Sequence, residues 1–394
     1  MKILYVNHTS QVSGAERSLL ELLSGMNGHW RALLACPTGS LASAAAQREI
    51  ATLPIACIDG SLRIDPVQTP LALARLGFAA LQVARHTQTS RVDLVHANSI
   101  RAGLVCVAAR RLTGVPTVVH LRDCLPRTAM ADTTMRCIAR GASAIVANSD
   151  YTAGGLTAVA EPRGSVHVLA NPVDLARFDP GLIDRHQARR RVGINEAEFA
   201  LGVIGQITPW KGQADAIKVL SLLVGERPEA ALYIVGEPKF VSRATRFDNL
   251  AYMDELHRLA VEAGLQARVH FLGEREDIPE VLAALDVVLV PSWEEPFGRV
   301  VVEAMAMGRT VIATTIGGPA AIIDDGVSGL LVQPRDPAAW AAAVRRVVAD
   351  ADLRRQLERE ARARAADFDV SAHVAGLEAI YRQVRARPPL PARA

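Results

Sequence analysis

A strand, a loop and a helix are predicted to follow one another over residues 285–308, LDVVLVPSWEEPFGRVVVEAMAMG. Leu285 to Val290 is a continuous apolar run that ends at Pro291, which is typical of a short strand buried on both faces of a parallel sheet. After an acidic loop, apolar residues return at helical spacing as far as Gly308. Open α/β sheets bind ligands beyond the carboxyl ends of their strands, and a helix N-terminus attracts phosphate. The loop is therefore the first place to expect a binding site.

Two glutamates flank the predicted start of this helix, with seven residues between them: Glu295 in the loop and Glu303 in the helix. Eight steps at helical rise separate them by about 12 Å, so they are not a touching pair. An extended nucleotide sugar is long enough to contact both. Spacing alone leaves a solvated acidic helix face open as the alternative.

Strand and helix patterns alternate along most of the chain, which predicts doubly wound parallel sheets. The predicted strands lie at 2–6, 32–35, 92–95, 117–119, 144–147, 166–169, 200–204, 232–235, 269–271, 285–290 and 311–313. The segment 171–195 loses this periodicity and is rich in charge, so it is interpreted as an interdomain linker. A length of 394 residues suggests two or three domains.

Composition excludes several classes of protein. No Lys/Arg block is interleaved with aromatic residues, which make up 4% of the chain, so a nucleic acid partner is not expected. The five cysteines form no C-x2-C pair and are odd in number, which favours reduced thiols and a cytoplasmic location. The N-terminus has a strand pattern rather than that of a signal peptide, and no apolar run reaches 18 residues. Any membrane contact is expected to be peripheral.

Several single residues stand at predicted strand or helix ends in the first half. His96 and His120 close two predicted strands, which places them at the ligand edge, although a lone histidine is usually structural. Arg122 and Asp123 come shortly after His120 in the sequence. They either pair with each other or face an acceptor substrate. Gly14 precedes the first helix, where it serves either backbone geometry or a ligand.

Two cations stand near predicted helix starts in the second half. Lys211 precedes a helix predicted over 213–223, where it is either a solvated charge or a clamp for a diphosphate. Arg299 falls in the first turn of the helix between the glutamates, against the positive end of the helix dipole. This position is easier to understand if an anion lies in front of it, and a solvent-directed arginine is the alternative.

The E-x7-E pair after a buried strand resembles family 4 of the retaining glycosyltransferases, which have the two-domain GT-B fold. The resemblance implies that Glu295 contacts the transferred sugar and that Glu303 holds the ribose hydroxyls of the donor. It implies further that Lys211 binds the diphosphate, that His120 approaches the sugar, and that Gly14 lines the path to donor phosphate and acceptor.

The resemblance also carries weaker assignments and two departures. It implies that Arg275 and Asp277 approach the nucleotide base, with an ordinary surface loop as the alternative. Phe297 and Gly298 are placed with Arg299 among the donor-binding residues. Gln206 stands where the family has a second diphosphate-binding arginine. Alanine, at position 320 or 321, replaces a glutamate that normally follows the glycine turn at 317–318.

The strand and helix alternation predicts an α/β protein, and the resemblance implies the GT-B architecture, in which two Rossmann-like doubly wound domains face a cleft. Residues 1–180 form the acceptor-side domain, 181–370 the nucleotide-sugar-binding domain, and 371–394 a C-terminal helix that crosses back to the first domain. The expected catalytic residues are His120, Glu295 and Lys211, with His96, Arg122 and Asp123 on the acceptor side.

The resemblance implies retaining transfer of a hexosyl-type sugar from a nucleotide diphosphate sugar to an acceptor hydroxyl. A UDP-sugar is favoured over GDP- and dTDP-sugars. No cofactor or metal is expected, because no carboxylate pair at a strand end offers ligands for Mg²⁺. A nicotinamide-dependent dehydrogenase is disfavoured by the lack of G-x-G-x-x-G after the first strand of either domain. A non-catalytic nucleotide-sugar-binding homologue stays open as the alternative.

Overall fold

The computed structural model describes residues 1–26, 30–58, 68–239, 241 and 246–386. The strands are β1 Lys2–Val6, β2 Arg31–Cys36, β3 Ala51–Pro54, β4 Leu94–Ala97, β5 Thr117–Leu121, β6 Ala144–Ala147, β7 Ser165–Val168, β8 Phe199–Ile204, β9 Ala230–Val235, β10 Val269–Phe271, β11 Val287–Val290, β12 Thr310–Thr314 and β13 Leu330–Val332.

The α-helices are α1 Gly14–Gly25, α2 Ser40–Ala46, α3 Gln68–Thr89, α4 Ile100–Thr113, α5 Ala129–Gly141, α6 Asp150–Thr157, α7 Arg185–Val192, α8 Gln213–Leu223, α9 Asn249–Glu262, α10 Ile278–Ala284, α11 Arg299–Ala306, α12 Pro319–Ile322, α13 Pro337–Ala349, α14 Ala351–Ala365 and α15 Val370–Ala386. Short 3-10 turns occur at Pro180–Leu182, Pro209–Lys211 and Ala366–Phe368. Within the described ranges, no helix combines the length and the apolar character needed to cross a bilayer.

The chain divides into two compact units, Met1–Pro172 with Val370–Ala394, and Val173–Asp369. The boundary between the units falls within the predicted linker 171–195, most of which, including α7, belongs to the second unit. The helix is capped by the side chain of Asp184, which accepts a hydrogen bond from the backbone N–H of Gln187. Its core-facing apolar stripe consists only of Ala188 and Val192, too short a pattern to stand out among arginines.

The first unit is built on a parallel sheet with the strand order β3-β2-β1-β4-β5-β6-β7. One face packs against α3, α4 and α5, through residues such as Val83, Val105 and Ile138. The other face packs against α1 and α15, through residues such as Leu19 and Ile380. Apolar cores on both faces of a parallel sheet are the doubly wound arrangement that the sequence predicts, and the C-terminal helix belongs to this unit.

The second unit is built on a parallel sheet with the strand order β10-β9-β8-β11-β12-β13. Its strands β9 and β11 are buried along their whole length, as expected for strands covered by helices on both sides. The principal core lies between the sheet and α8, α9 and α13, and Trp340 is its largest fully buried side chain. The predicted pair of Rossmann-like α/β units is thereby confirmed.

Candidate active site

The loops after β8 and β11 leave the carboxyl edge of the second sheet from adjacent strands. From β8 the chain winds outward to β9 and β10, and from β11 it winds in the opposite direction to β12 and β13. Such a reversal is a topological switch point, where parallel α/β sheets bind ligands. The strand predicted from Leu285 begins only at Val287, because Leu285 caps the end of α10. The loop expected to carry the site nevertheless lies at this switch point.

Two glycines allow the loops at this edge to approach one another closely. Gly212 has a φ of +74°, and a Cβ atom there would collide with the carbonyl oxygen of Pro291. Gly317 has a φ of +107°, and a Cβ atom there would collide with the carbonyl oxygen of Glu295, which also accepts a 2.8 Å hydrogen bond from Gly318 N–H. Left-handed φ values favour glycine. A larger residue at either position would push apart the loops that carry the site.

Glu295 is a buried carboxylate with two partners on one of its oxygens. Its Oε2 atom lies 2.6 Å from Nζ of Lys211 and accepts a 2.7 Å hydrogen bond from Oγ of Ser292. Lys211 ends the 3-10 turn after β8, and Ser292 follows β11, so the three side chains join two loops. Nζ of Lys211 also lies 4.4 Å from the ring centre of Trp210, within cation–π range. Within the described residues, the Oε1 atom of Glu295 accepts no hydrogen bond, so it can still serve a ligand hydroxyl.

Arg299 and Glu303 form an ion pair along α11. Nε of Arg299 lies 2.6 Å from Oε1 of Glu303, and the two side chains are only 10% and 8% exposed. Residues four apart on a helix face each other, which explains the contact. The cation stands at the positive end of the helix, so the pair is oriented against the dipole. Glu303 therefore supplies part of the counter-charge that was expected from a bound anion.

Gln206 forms hydrogen bonds within the protein. Its side-chain amide donates a 3.1 Å hydrogen bond to the carbonyl oxygen of Lys239 in the loop after β9. The backbone carbonyl oxygen of Gln206 accepts a 2.9 Å hydrogen bond from the side-chain amide of Gln213. The glutamine thus ties neighbouring loops together and brings no positive charge. The Nζ atom of Lys239 lies 2.6 Å from Glu274.

The predicted base-contacting residues pair with each other. Arg275 Nε and Nη2 contact the two carboxylate oxygens of Asp277 at 2.9 and 2.5 Å. This bidentate pair raises the pKa of Arg275 and lowers the pKa of Asp277. A ligand base would have to bind beside the pair or displace it, so the base-contacting role of Arg275 stays a prediction.

The segment between the two glutamates also contains Phe297 and Gly298. Phe297 is buried, with its ring 6.2 Å from that of Phe368, and Gly298 caps α11 with a φ of +94°. Ala320 and Ala321, one of which stands where the resemblance implies a glutamate, are exposed in α12. Their side chains offer no hydrogen-bonding group at this position.

His96 belongs to a buried hydrogen-bonded chain in the first unit. Its Nδ1 atom lies 2.7 Å from the hydroxyl oxygen of Tyr381 on α15, which lies 3.1 Å from the hydroxyl oxygen of Tyr5 on β1. Burial, with a further contribution from the charge of Arg122, holds the pKa of His96 well below its usual value. This neutral imidazole helps to anchor the C-terminal helix to the sheet.

His120 lies beside this chain and is fully buried. Within the described residues neither of its ring nitrogens has a hydrogen-bond partner, and burial, with the neighbouring charge of Arg122, holds its pKa well below the usual value. Arg122 donates hydrogen bonds to the side-chain oxygens of Asn98 and Asn171, while Asp123 is exposed. The sugar-contacting role of His120 and the acceptor-side roles of its neighbours stay predictions.

Gly14 is the first residue of α1. Its φ lies outside the left-handed region, and a Cβ atom there would meet nothing within 4 Å. The helix start is closed by a capping box in which the carboxylate of Glu16 accepts a 3.1 Å hydrogen bond from the N–H of Ser13. Neither backbone geometry nor packing therefore requires a glycine at position 14, and its ligand-facing role stays a prediction.

Ser292 and Tyr381 are two site residues that the sequence patterns do not single out. Ser292 directly follows Pro291 and stands three residues before Glu295, which was the available signal. Nothing in the sequence around Tyr381 indicates its contact with His96, since 285 positions separate the two residues. In the part of the chain that the structure describes, no group of three or more His, Cys, Asp or Glu side chains is arranged to hold a metal ion.

Two family models match the chain, one in each half. The model described as Glycosyltransferase Family 4 matches residues 12–177, and the model described as Glycosyl transferases group 1 matches residues 184–364. A D-inositol 3-phosphate glycosyltransferase of Salinispora arenicola is 30% identical over 339 residues, covering 80% of this chain and 74% of that protein. One of Actinosynnema mirum is 33% identical over 322 residues, covering 77% of this chain and 75% of that protein.

Solved structures agree with these relationships. The crystal structure of Anabaena Alr3699/HepE in complex with UDP-glucose superposes with a TM-score of 0.84 at 26% identity, covering 97% of this chain and 100% of that one. Sucrose-phosphate synthase from Thermosynechococcus elongatus gives a TM-score of 0.81 at 21% identity over 98% and 99% of the two chains, which supports the fold alone. With both halves matched and with relatives of at least 30% identity over most of its length, the chain belongs to glycosyltransferase family 4 and has the GT-B fold.

Proposed function

We propose that this glycosyltransferase moves a hexosyl group from a UDP-sugar to an acceptor hydroxyl with retention of anomeric configuration. The observation that carries the proposal is the Lys211–Glu295 ion pair at the switch point of the second sheet, with Glu303 on the helix that follows. A structural relative bound to UDP-glucose supports the choice of nucleotide. Relatives named D-inositol 3-phosphate glycosyltransferase support a hydroxyl group as the acceptor.

The donor is proposed to lie along the start of α11. Backbone N–H groups and the positive dipole end of this helix, together with Lys211, attract the diphosphate. Glu303 accepts hydrogen bonds from the two ribose hydroxyls after Arg299 turns toward phosphate. Oε1 of Glu295 accepts a hydrogen bond from a sugar hydroxyl while its Oε2 atom stays bound to Ser292.

The proposed reaction proceeds on one face of the sugar. The bond between the anomeric carbon and the phosphate oxygen breaks, and the bond to the acceptor oxygen forms on the same side. The departing phosphate oxygen takes the proton of the acceptor hydroxyl, so UDP is the second product. Lys211 and the helix dipole stabilise the negative charge that develops on the diphosphate. No protein group is assigned as a covalent nucleophile, and no metal ion is assigned to the site.

A non-catalytic nucleotide-sugar-binding protein is the second candidate, and one observation favours it. The side chain of Gln206, where the family has an arginine, donates its hydrogen bond to the Lys239 carbonyl and offers no positive charge to a diphosphate. The leaving group would then be less stabilised than in relatives that have both cations.

Release of the nucleoside diphosphate from a panel of UDP-, GDP- and dTDP-sugars separates the candidates. We expect UDP release from UDP-sugars that survives EDTA and falls about a hundredfold or more in Glu295→Gln, which keeps the shape but loses the charge. The Glu294→Gln variant is the matched control, because it changes the adjacent glutamate outside the E-x7-E pair. Donor binding without turnover would support the non-catalytic candidate. Activity that collapses in EDTA and returns with Mg²⁺ or Mn²⁺ would contradict metal independence.

A further inference from the structure

Helix α3 of the first unit packs mainly small side chains and Leu76 into the core and leaves several large apolar side chains exposed. The residues that pack into the core are mostly small: Ala79, Ala80, Val83 and Ala84. Leu71, Phe78 and Leu81 lie on the opposite side of the helix and are 46–58% exposed. Surface helices of globular proteins ordinarily show the opposite pattern. The outward side of α3 is therefore apolar surface that the described part of the chain does not cover.

The charged side chains of α3 and of the adjacent helix α4 are of one sign. Helix α3 contains Arg75 and Arg85 and no carboxylate, and both arginines are exposed. The adjacent helix α4 also contains no carboxylate and presents Arg101 and Arg111, with the exposed Leu112 beside them. Apolar side chains together with arginines, without acidic residues, are the composition of helices that lie in the interface of an anionic membrane.

We propose that the outward side of α3 docks on an anionic lipid bilayer. Phe78 and Leu81 enter the boundary between headgroups and acyl chains, while Arg75 and Arg85 contact lipid phosphates. The length of α3, 22 residues, extends about 33 Å, so several lipids can be contacted at once. The helix lies on the bilayer and does not cross it, in keeping with its modest apolar character.

Charge favours a bilayer over a second copy of the chain. In a symmetric dimer built on this surface, Arg75 and Arg85 would face the same arginines of the partner, and no carboxylate of α3 or α4 could compensate them. Anionic lipid headgroups supply this counter-charge, at about a fivefold gain in binding for each arginine near the surface.

Sedimentation of the full chain with lipid vesicles tests the proposal. We expect binding to equimolar phosphatidylcholine–phosphatidylglycerol vesicles, weak binding to pure phosphatidylcholine, and a loss of binding in high salt. The double variant Phe78→Ser/Leu81→Ser should lose about tenfold or more in binding, and Arg75→Gln/Arg85→Gln should lose binding to the anionic vesicles only. Because both pairs are exposed, thermal unfolding should stay close to that of the wild type.

The matched control is Leu250→Ser/Val261→Ser, which removes two side chains of similar exposure, 56% and 61%, from α9 of the second unit. This control should bind vesicles like the wild type. The proposal is overturned if the wild-type chain does not sediment with anionic vesicles, or if Phe78→Ser/Leu81→Ser binds them unchanged. It is also overturned if ultracentrifugation shows that the wild-type chain is a dimer and that Phe78→Ser/Leu81→Ser is a monomer. Helix α3 would then bind a second copy of the chain. None of these outcomes depends on the glycosyltransferase activity.

Discussion

Replacing Arg299 by alanine is expected to raise the KM for a UDP-sugar donor by at least about tenfold. In the structure the guanidinium of Arg299 lies 2.6 Å from Glu303, and the pair is nearly buried. A diphosphate in front of α11 would meet this arginine at the positive end of the helix. Since Gln206 brings no positive charge, Arg299 is the cation we expect to replace the family arginine.

The magnitude follows from the strength of hydrogen bonds to charged groups. Each such bond contributes about 1.5–3 kcal/mol, which corresponds to about tenfold to 150-fold in affinity. The alanine variant has a second effect, because Glu303 loses its partner and its carboxylate is less well oriented for the ribose. Affinities for UDP and for uridine separate the two effects. A lost phosphate contact weakens UDP alone, whereas a misplaced Glu303 weakens both ligands equally.

The double variant Arg299→Ala/Gln206→Arg provides the decisive comparison. An arginine at position 206 restores a cation near the diphosphate but cannot orient Glu303, so it should recover part of the donor affinity only if Arg299 contacts phosphate. Steady-state UDP release gives KM and kcat, and calorimetry gives the affinities. Unchanged KM and kcat in Arg299→Ala would refute the compensation, and the site would then rely on Lys211 and backbone amides.

Three further predictions concern other residues of the two units. Glu303→Ala should weaken binding of free UDP about tenfold or more by calorimetry, and unchanged affinity would refute its ribose-binding role. Ser292→Ala should lower kcat about tenfold without changing UDP affinity, because Ser292 positions Glu295; Ser292→Thr should restore activity. Burial lowers the pKa of His373 from 6.5 to about 3, so the unfolded state binds more protons and stability falls as the pH drops from about 6.5, by about 1.4 kcal/mol per pH unit for this residue. His373→Gln should reduce the pH dependence of stability by up to about 1.4 kcal/mol per pH unit and leave the part that is due to His96 and His120. A pH dependence unchanged in thermal unfolding would contradict the assignment.

Elements with a single clear burial pattern are predictable from the sequence. The strands Ala144–Ala147 and Val269–Phe271 and the helix Gln213–Leu223 have the expected bounds. Helix α3 was not predicted, because leucines and a phenylalanine on its exposed side make that side as hydrophobic as the buried side. Strand β3 was missed because it lies at the sheet edge and most of its residues are exposed.

Within the site, the sequence identifies the charged groups but only part of their pairing. The contact between Arg299 and Glu303 follows from a spacing of four on a helix and could have been foreseen. The contact between Lys211 and Glu295 joins residues 84 positions apart, and it depends on β8 and β11 being neighbours in the sheet. Periodicity along the chain contains no information about such strand order.

The structure of a complex with UDP-glucose tests the central claim most directly. We predict that the ribose hydroxyls contact the carboxylate of Glu303, and that the diphosphate lies beside Lys211 and the first turn of α11. The sugar is predicted to contact Glu295 through its Oε1 atom. A nucleotide bound away from the loops after β8 and β11 would contradict this claim. In that case the ion pairs Lys211–Glu295 and Arg299–Glu303 would stay unchanged in the complex.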